Sequence, residues 1–273
     1  MSGILYLVAT PIGNLEDITL RAIRILKEVD LIAAEDTRHS LKLLNHLEIS
    51  KPLFSYHRHN EDIKTDVLIN KLIEGQNIAL ITDAGTPAIS DPGELIVKKA
   101  IENDISIVPI PGCCALVNAL ICSGFSTREF SFYGFLPLNK KLRNEKFEEL
   151  KKESKTVILY EAPHKIIATL NDIYKNLGDV NIVLARELTK IHESFIRGKV
   201  SELISMIDSI KGEMIILIEP HECIEEKKEN ISIDEQYELY KKEGLSKNEI
   251  IKKIAKNNGV KKNEIYMMFT EKE

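Results

Sequence analysis

Apolar residues along this chain recur in two rhythms. Short unbroken runs at Ile4 to Ala9, Leu31 to Ala34, Leu53 to Tyr56, Ala79 to Ile81 and Ser106 to Pro109 have the length and filling of buried strands. Between them, apolar positions recur at helical spacing: Ala22, Ile25, Leu26 and Val29, then Val67, Leu68, Leu72 and Ile73, then Ile96, Val97, Ala100 and Ile101. Strands alternating with helices predict an α/β domain with a largely parallel sheet, assigned to residues 1–136.

After Asn139 the composition shifts to a lysine- and glutamate-rich helix, Lys140 to Lys152. Strands are predicted at Thr156 to Tyr160, Val180 to Ala185 and Met214 to Ile218, with helices near Lys165 to Tyr174 and Val200 to Ile207, so residues 137–223 form a second α/β domain. From Ile224 to about Ser232 the chain reads as a polar linker, and residues 224–273 as that linker with a small helical domain. There Ser246 to Glu249 is a capping box, Ile250, Ile251, Ile254 and Ala255 form a buried face, Asn257 to Gly259 ends the helix, and Val260 to Phe269 follows with Ile265 and Phe269 inward. Helix, Gly-containing turn, helix is a helix-turn-helix outline, which small helical bundles share.

The strand ends hold the candidate chemistry. The fullest is Ala79 to Gly93, ALITDAGTPAISDPG, where a buried strand passes into a turn with two glycines and two prolines. Ligands of open α/β sheets bind in such loops, at the carboxyl ends of strands. Asp83 and Asp91 add acceptors for ribose hydroxyls or an ammonium group; a constrained turn without a ligand is the plain alternative. Other strand ends give Thr10 to Leu15, Glu35 to Arg38, His57 to Glu61 and Pro111 to Ala115, and in the second half Tyr160 to Lys165 and Arg186 to Glu193. No G-x-G-x-x-G follows the first strand, so a dinucleotide-binding fold is not supported.

Charge and cysteine content narrow the classes. With 273 residues and a net charge of −5, the chain has no global attraction to nucleic acid, and any phosphate-binding surface must be local. Eight lysines between Lys241 and Lys262, against Glu243 and Glu249, make the last segment such a patch. Cys113, Cys114, Cys122 and Cys223 contain no C-x-x-C pair and fit a reducing compartment. His57 and His59 point the same way on an extended segment but lack a nearby third ligand, so no metal is expected. No apolar run approaches the roughly 18 residues of a membrane span, and no signal peptide is visible, so the expectation is a cytoplasmic protein.

Several blocks together resemble one family: ATPIGNL at 9–15 with Asp17 to Thr19, AEDTR at 34–38, Tyr56–His57 and His59 to Glu61, the 79–93 loop, Pro111–Gly112, YGFLP at 133–137, YEAPH at 160–164, ARELTK at 185–190 with His192–Glu193, and Lys211 to Glu213. In this order they resemble the tetrapyrrole-methylase superfamily of S-adenosylmethionine-dependent enzymes, and within it the members that methylate the ribose 2′-hydroxyl of a cytidine in the decoding region of 16S rRNA. The resemblance implies two α/β domains with the methyl donor in the cleft between them, and commonly a homodimer. It implies donor contacts from Pro11, Asp83, Ala84, Gly85, Thr86, Ile89, Cys114 and Ala115, and from Tyr160, Leu188, Gly212 and Glu213. Arg58 and Lys165 depart from the pattern, where an acidic or small polar residue and an arginine are usual.

Transfer of a methyl group to oxygen is an in-line displacement, so alignment is central, and the hydroxyl must lose its proton to a base. Glu35, Asp36, His57, Glu161, His164, Glu187, Lys190 and Glu193 are candidates for the base. Arg38, Lys165 and Arg186 suit phosphates or the orientation of carboxylates. The expected catalytic set is Asp36, Arg38, His57, Glu161, Arg186 and Glu187, converging on the cleft, and the expected RNA-binding set is Lys165, Lys190, Lys252, Lys253, Lys261 and Lys262. Pairs such as Glu35 with Arg38, or Arg186 with Glu187, would also serve as simple ion pairs. Two other functions stand beside the RNA methyltransferase: a C-methyltransferase of small tetrapyrrole precursors, which has no need of the terminal helical segment, and a non-catalytic RNA-binding protein on the same fold.

Overall fold

A computed structural model describes residues 2–206, 212–220, 232–242, 244–258 and 260–270. Five strands, β1 (Ile4–Val8), β2 (Leu31–Ala34), β3 (Leu53–Ser55), β4 (Ile78–Ile81) and β5 (Ser106–Ile110), form a sheet in the order β3-β2-β4-β1-β5, every pair parallel. All five therefore end at one edge. Alternate residues on each strand serve opposite faces. Leu31, Ala33, Ile78 and Leu80 meet Leu68 and Leu72 of α3 (Glu61–Ile73) and Ile96 of α4 (Glu94–Glu102). Ile32, Ala34, Ala79 and Ile81 meet Ile25 and Leu26 of α1 (Leu20–Glu28) and Leu44 of α2 (Thr37–His46). Burial on both faces is why these strands read as continuous apolar runs. On α3 the inward positions are Thr65, Leu68, Ile69 and Leu72, whereas Val67 and Ile73 face solvent, and on α4 Ile101 is exposed. The expected faces were rotated by about one position, because apolar residues flank both faces at these points.

A second sheet has the order β6-β7-β10-β8-β9, built from β6 (Phe130–Phe135), β7 (Thr156–Glu161), β8 (Asn181–Arg186), β9 (Ser194–Lys199) and β10 (Met214–Ile218). It is mixed: β6 runs parallel to β7, and the other pairs are antiparallel. Residues 130–135 pair into this sheet although they precede the expected boundary at 136/137. One face carries α6 (Lys140–Leu150), α7 (Ile166–Leu177) and α8 (Val200–Met206), through Phe147, Leu170, Ile173 and Leu203. Its other face packs on the first half of the chain. Ile12, Cys113 and, from α5 (Ala115–Ile121), Leu116, Ala119 and Leu120 join Ile158, Val183, Ala185, Ile215 and Leu217 in one apolar cluster. Residues 1–223 consequently form one compact unit.

Residues 224–273 are a second unit. Its described helices are α9 (Ile233–Lys242), α10 (Lys247–Asn258) and α11 (Lys262–Thr270). Ile250, Ile251, Ile254, Ala255 and Ile265 are buried together, with Tyr237 stacked on Phe269 at 4.3 Å between ring centroids. The Glu249 carboxylate accepts from the Ser246 N–H at 3.0 Å, the reciprocal bond of a capping box. Lys211, Cys223, the linker as far as 231, and Gly259 lie outside the described residues.

Gly13 shows how closely the two sheets are joined. A Cβ there would lie 2.6 Å from Lys190 Cγ, 2.8 Å from Thr189 Oγ1 and 3.0 Å from the Leu188 carbonyl oxygen. Gly13→Ala is expected to lower stability by about 1–3 kcal/mol through overpacking, read as an earlier urea unfolding midpoint. An unchanged midpoint would show that the surrounding side chains yield freely.

Candidate active site

The strand ends of the first sheet are tied to one another before any ligand is considered. Thr10 and Gly85 exchange two backbone hydrogen bonds, of 2.9 and 3.0 Å, which couple the loop after β1 to the turn after β4. Gly85 adopts φ +84°, a left-handed conformation that glycine enters at low cost. Thr86 Oγ1 donates to the Cys113 carbonyl at 2.9 Å and joins the loop after β5. The Asp36 N–H donates to Asp83 Oδ1 at 3.1 Å and joins the loop after β2. Ala88 and Ser90 also take positive φ, +66° and +65°, so the segment before α4 is held in a shape that its residues would not choose alone.

Between these loops and the second sheet lies a cleft of about 440 Å³. From the first half it is lined by Ile12, Glu35, Asp83 to Thr86, Ile89 to Asp91, Cys114 and Ala115. The second sheet contributes Phe135, Tyr160 to Pro163, Ala185, Leu188 and Glu213 to Ile215. Five of these residues are carboxylates (Glu35, Asp83, Asp91, Glu161 and Glu213), and no lysine or arginine is among them. Such a cavity, apolar with acidic walls, suits a ligand that carries positive charge and rejects phosphate.

The acids differ in how they are held. Burial pushes the Asp91 carboxyl up to about 6, with the charges of Glu35 and Asp83 adding to it and Arg58 opposing it. Burial, then the charge of Asp83, likewise raises Glu35. Asp91 thereby suits a proton acceptor near neutral pH, and Glu35 is shifted in the same direction. Glu161 is buried, and both its oxygens are engaged: Oε1 accepts from the Ala162 N–H at 2.8 Å and Oε2 from Thr169 Oγ1 at 2.5 Å. Arg143 secures Thr169 through a 2.8 Å bond. Burial pushes the Tyr160 hydroxyl up to about 12, with nearby Cys114 and Asp91 contributing, so it remains a hydrogen-bond donor.

Of the expected donor-binding residues, Asp83, Ala84, Gly85, Thr86, Ile89, Cys114, Ala115, Tyr160, Leu188 and Glu213 line the cleft, whereas Pro11 and Gly212 do not. Ile12 takes the place expected for Pro11. Gly212, at φ +102°, allows a close turn against Glu187, whose Cδ would lie 2.4 Å from a Cβ there.

The expected catalytic set does not converge as a whole. Glu161 lines the cleft, but Asp36, Arg38, His57, Arg186 and Glu187 do not. Asp36 caps α2 by accepting from the Arg38 N–H at 2.8 Å, and that bond, with the Arg38 side chain, holds its carboxyl below the usual range. The Arg38 side chain is 90% exposed and bonded to Asp36 at 3.3 Å. His57 is fixed in a turn by Asn60, which accepts from its N–H at 2.9 Å and lies 3.0 Å from its Nε2. Glu187 is a clamp: its Oε1 accepts from the Glu213 N–H at 2.9 Å and from Lys190 Nζ at 3.1 Å. Burial works the other way, but the bonds from Glu213 and Lys190 prevail and lower its carboxyl.

The expected RNA-binding lysines separate similarly. Lys190 is held by Glu187 and by Glu213, the latter at 3.2 Å, and is therefore part of the same clamp. Lys253 lies 3.9 Å over the Tyr240 ring. Lys165 is half-buried beside Pro163, and Lys252, Lys261 and Lys262 are exposed on the helical unit. Asp91, read from the sequence as a ligand acceptor but in neither the expected donor-binding nor the expected catalytic set, lines the cleft, as does Phe135, which the sequence placed only within the YGFLP block. Among the described residues, no group of three or more His, Cys, Asp or Glu side chains is placed to hold a metal ion, and no helix is long and apolar enough to cross a membrane.

A profile of the Tetrapyrrole (Corrin/Porphyrin) Methylases matches residues 4–204. Among curated proteins, the chain is 48% identical to the Ribosomal RNA small subunit methyltransferase I of Halalkalibacterium halodurans, across 98% of this chain and 94% of that one. Identity to the proteins of the same name is 47% in Bacillus subtilis, covering 97% and 93%, and 46% in Synechocystis sp., covering 99% of each. Among solved structures, a diphthine synthase superposes with a TM-score of 0.65 at 12% identity, covering 82% of this chain and 95% of that one. The uroporphyrin-III-C-methyltransferase of Thermus thermophilus gives 0.56 at 19%, covering 80% and 94%. At those identities the structures speak for the fold alone.

The raised Asp91 carboxyl has a cost. The folded protein keeps this proton to higher pH than the unfolded chain, so Asp91 lowers stability above about pH 6, and the penalty disappears as pH falls through about 6 toward 4. Asp91→Asn is expected to stabilise the fold by about 1–2 kcal/mol near pH 8, after allowance for solvent screening, and by almost nothing near pH 4. Unfolding free energies measured at both pH values check this, and a gain that does not depend on pH would contradict it.

Proposed function

The chain belongs to the tetrapyrrole (corrin/porphyrin) methylase family, and on that premise we propose that it is a methyltransferase of small-subunit ribosomal RNA. The donor is S-adenosylmethionine, and the acceptor is the ribose 2′-hydroxyl of a cytidine in the decoding region of 16S rRNA. The likeness to relatives named for small-subunit rRNA, over nearly the full length of each, supports the acceptor. The observation that carries the donor is the lining of the cleft: five carboxylates, no basic side chain, and an apolar surface from Ile12, Ile89, Ala115, Leu188 and Ile215. Those residues fit a cationic, partly apolar nucleoside. Asp83, Ala84, Thr86, Cys114, Leu188 and Glu213 would hold S-adenosylmethionine, which supplies an electrophilic methyl group.

The chain's own residues then have two tasks. Alignment comes from the linked turns at Thr10, Gly85 and Thr86, which need little rearrangement on binding. Proton removal falls to Asp91 or Glu35: burial raises the proton affinity of both, with the charges of Glu35 and Asp83 adding at Asp91 and that of Asp83 at Glu35. Glu161, tied by Thr169 and Ala162, is a positioning residue. RNA phosphates are excluded by the acidic walls and need cations elsewhere; Arg58, whose guanidinium donates to the Ser90 carbonyl at 3.1 Å, and the exposed Lys252, Lys261 and Lys262 supply them.

Labelled methyl transfer to small ribosomal subunits from a strain lacking the modification, followed by ribose mapping, tests this reading. One 2′-O-methylated cytidine in the decoding region is the expected result; donor binding without transfer to subunits or naked rRNA would favour a small-molecule acceptor. Replacing Lys252, Lys261 and Lys262 together with alanine is expected to reduce the slope of log affinity for RNA against log salt by about 1 for each phosphate that is no longer neutralised, leaving donor affinity unchanged. An unchanged slope would remove the helical unit from RNA binding.

A further inference from the structure

Phe135 is a large aromatic side chain that lines the cleft yet is 58% exposed. Its position depends on a fault in β6. Phe132 pairs with Ile158 and Phe135 with Tyr160, so three steps on β6 match two on β7, with the register shift between Phe132 and Gly134. In a regular strand, residues three apart point to opposite faces. The bulge removes that alternation, and both phenylalanines meet Tyr160, with ring centroids 4.9 Å from Phe132 and 5.6 Å from Phe135, each edge to face. Gly134 makes the bulge possible: its φ is +61°, and a Cβ there would lie 3.0 Å from Ser90 Oγ. The same feature therefore sets Phe135 beside the loop that carries Ser90 and Asp91.

We propose that Phe135 is the platform on which the base of the acceptor nucleotide stacks, with Tyr160 bracing it edge-on from within the cleft. This rests on the reading that the acceptor is RNA. The acidic lining offers a nucleotide neither a phosphate site nor, apart from Tyr160, an aromatic face; Phe135 supplies the missing apolar plane at a point still open to solvent. Sequence-specific recognition of RNA works on unstacked bases laid against aromatic rings, and stacking tolerates any base. Phe135 would thus set the reach of the ribose toward the proton acceptor rather than choose cytosine.

The chain contains no tryptophan, so Phe135→Trp places a single fluorophore at this point. Its emission is expected to be quenched by a single-stranded RNA oligonucleotide of the decoding-region sequence and left nearly unchanged by S-adenosylmethionine alone. In parallel, Phe135→Ala is expected to lower kcat/KM for small subunits roughly 10- to 100-fold, with donor affinity by calorimetry within about twofold of wild type and Phe135→Trp retaining most activity. Quenching by the donor alone, or weakened donor binding in Phe135→Ala, would assign the ring to the donor and overturn the proposal. So would unchanged turnover in Phe135→Ala while the wild type methylates subunits. A wild type that binds donor but methylates no RNA would instead refute the reading beneath it, and this inference with it.

Discussion

The cleft depends on an apolar seam. Ile12, Cys113, Leu116, Ala119 and Leu120, all from the first half of the chain, pack against Ile158, Val183, Ala185, Ile215 and Leu217 on one face of the second sheet. Each well-buried aliphatic side chain at such a join contributes about 1.5–3 kcal/mol, so this seam holds the strand ends of one sheet at a fixed distance from the other. Glu35 and Asp91 are half-buried in the cleft it maintains, and their raised proton affinities follow. Gly13 and Gly212 serve the same join, each making room for a close approach to residues 187–190.

Charge is divided accordingly. Inside, Glu35, Asp83 and Asp91 share one wall, and their mutual repulsion is relieved by a cationic ligand or by a proton. The charges just outside are largely spent on architecture: Asp36 caps α2, and Lys190 links Glu187 to Glu213. Of these residues, Glu213 alone also lines the cleft, so the clamp fixes one of its walls.

Much of the fold was legible because the first sheet is buried on both faces, and its strands show as apolar runs ending in turn residues. Less visible elements had weak patterns. Helix α2 buries only Ser40 and Leu44, too little for a helical rhythm. Strand β9 is a half-exposed edge, and β6 is broken by the bulge at Gly134. Most residues of the expected donor-binding set line the cleft because they lie in contiguous loop blocks at the strand ends. Most of the expected catalytic set lies outside the cleft lining for a physical reason: charges at a strand end mark the rim of a sheet, but whether a side chain turns into the cleft or back to cap a helix depends on local bonds. Asp36 turns back, whereas Asp91, eight residues beyond Asp83 in the same loop, turns in.

The acid-lined cleft is the proposed seat of the methyl donor. Its most direct test is a crystal structure of the protein grown with S-adenosylmethionine. Density for the nucleoside is expected against Ala84 to Thr86, Cys114 and Leu188, with the sulfonium facing the carboxylates of the cleft. A donor bound elsewhere on the chain, or a cleft that stays empty at saturating donor, would contradict it.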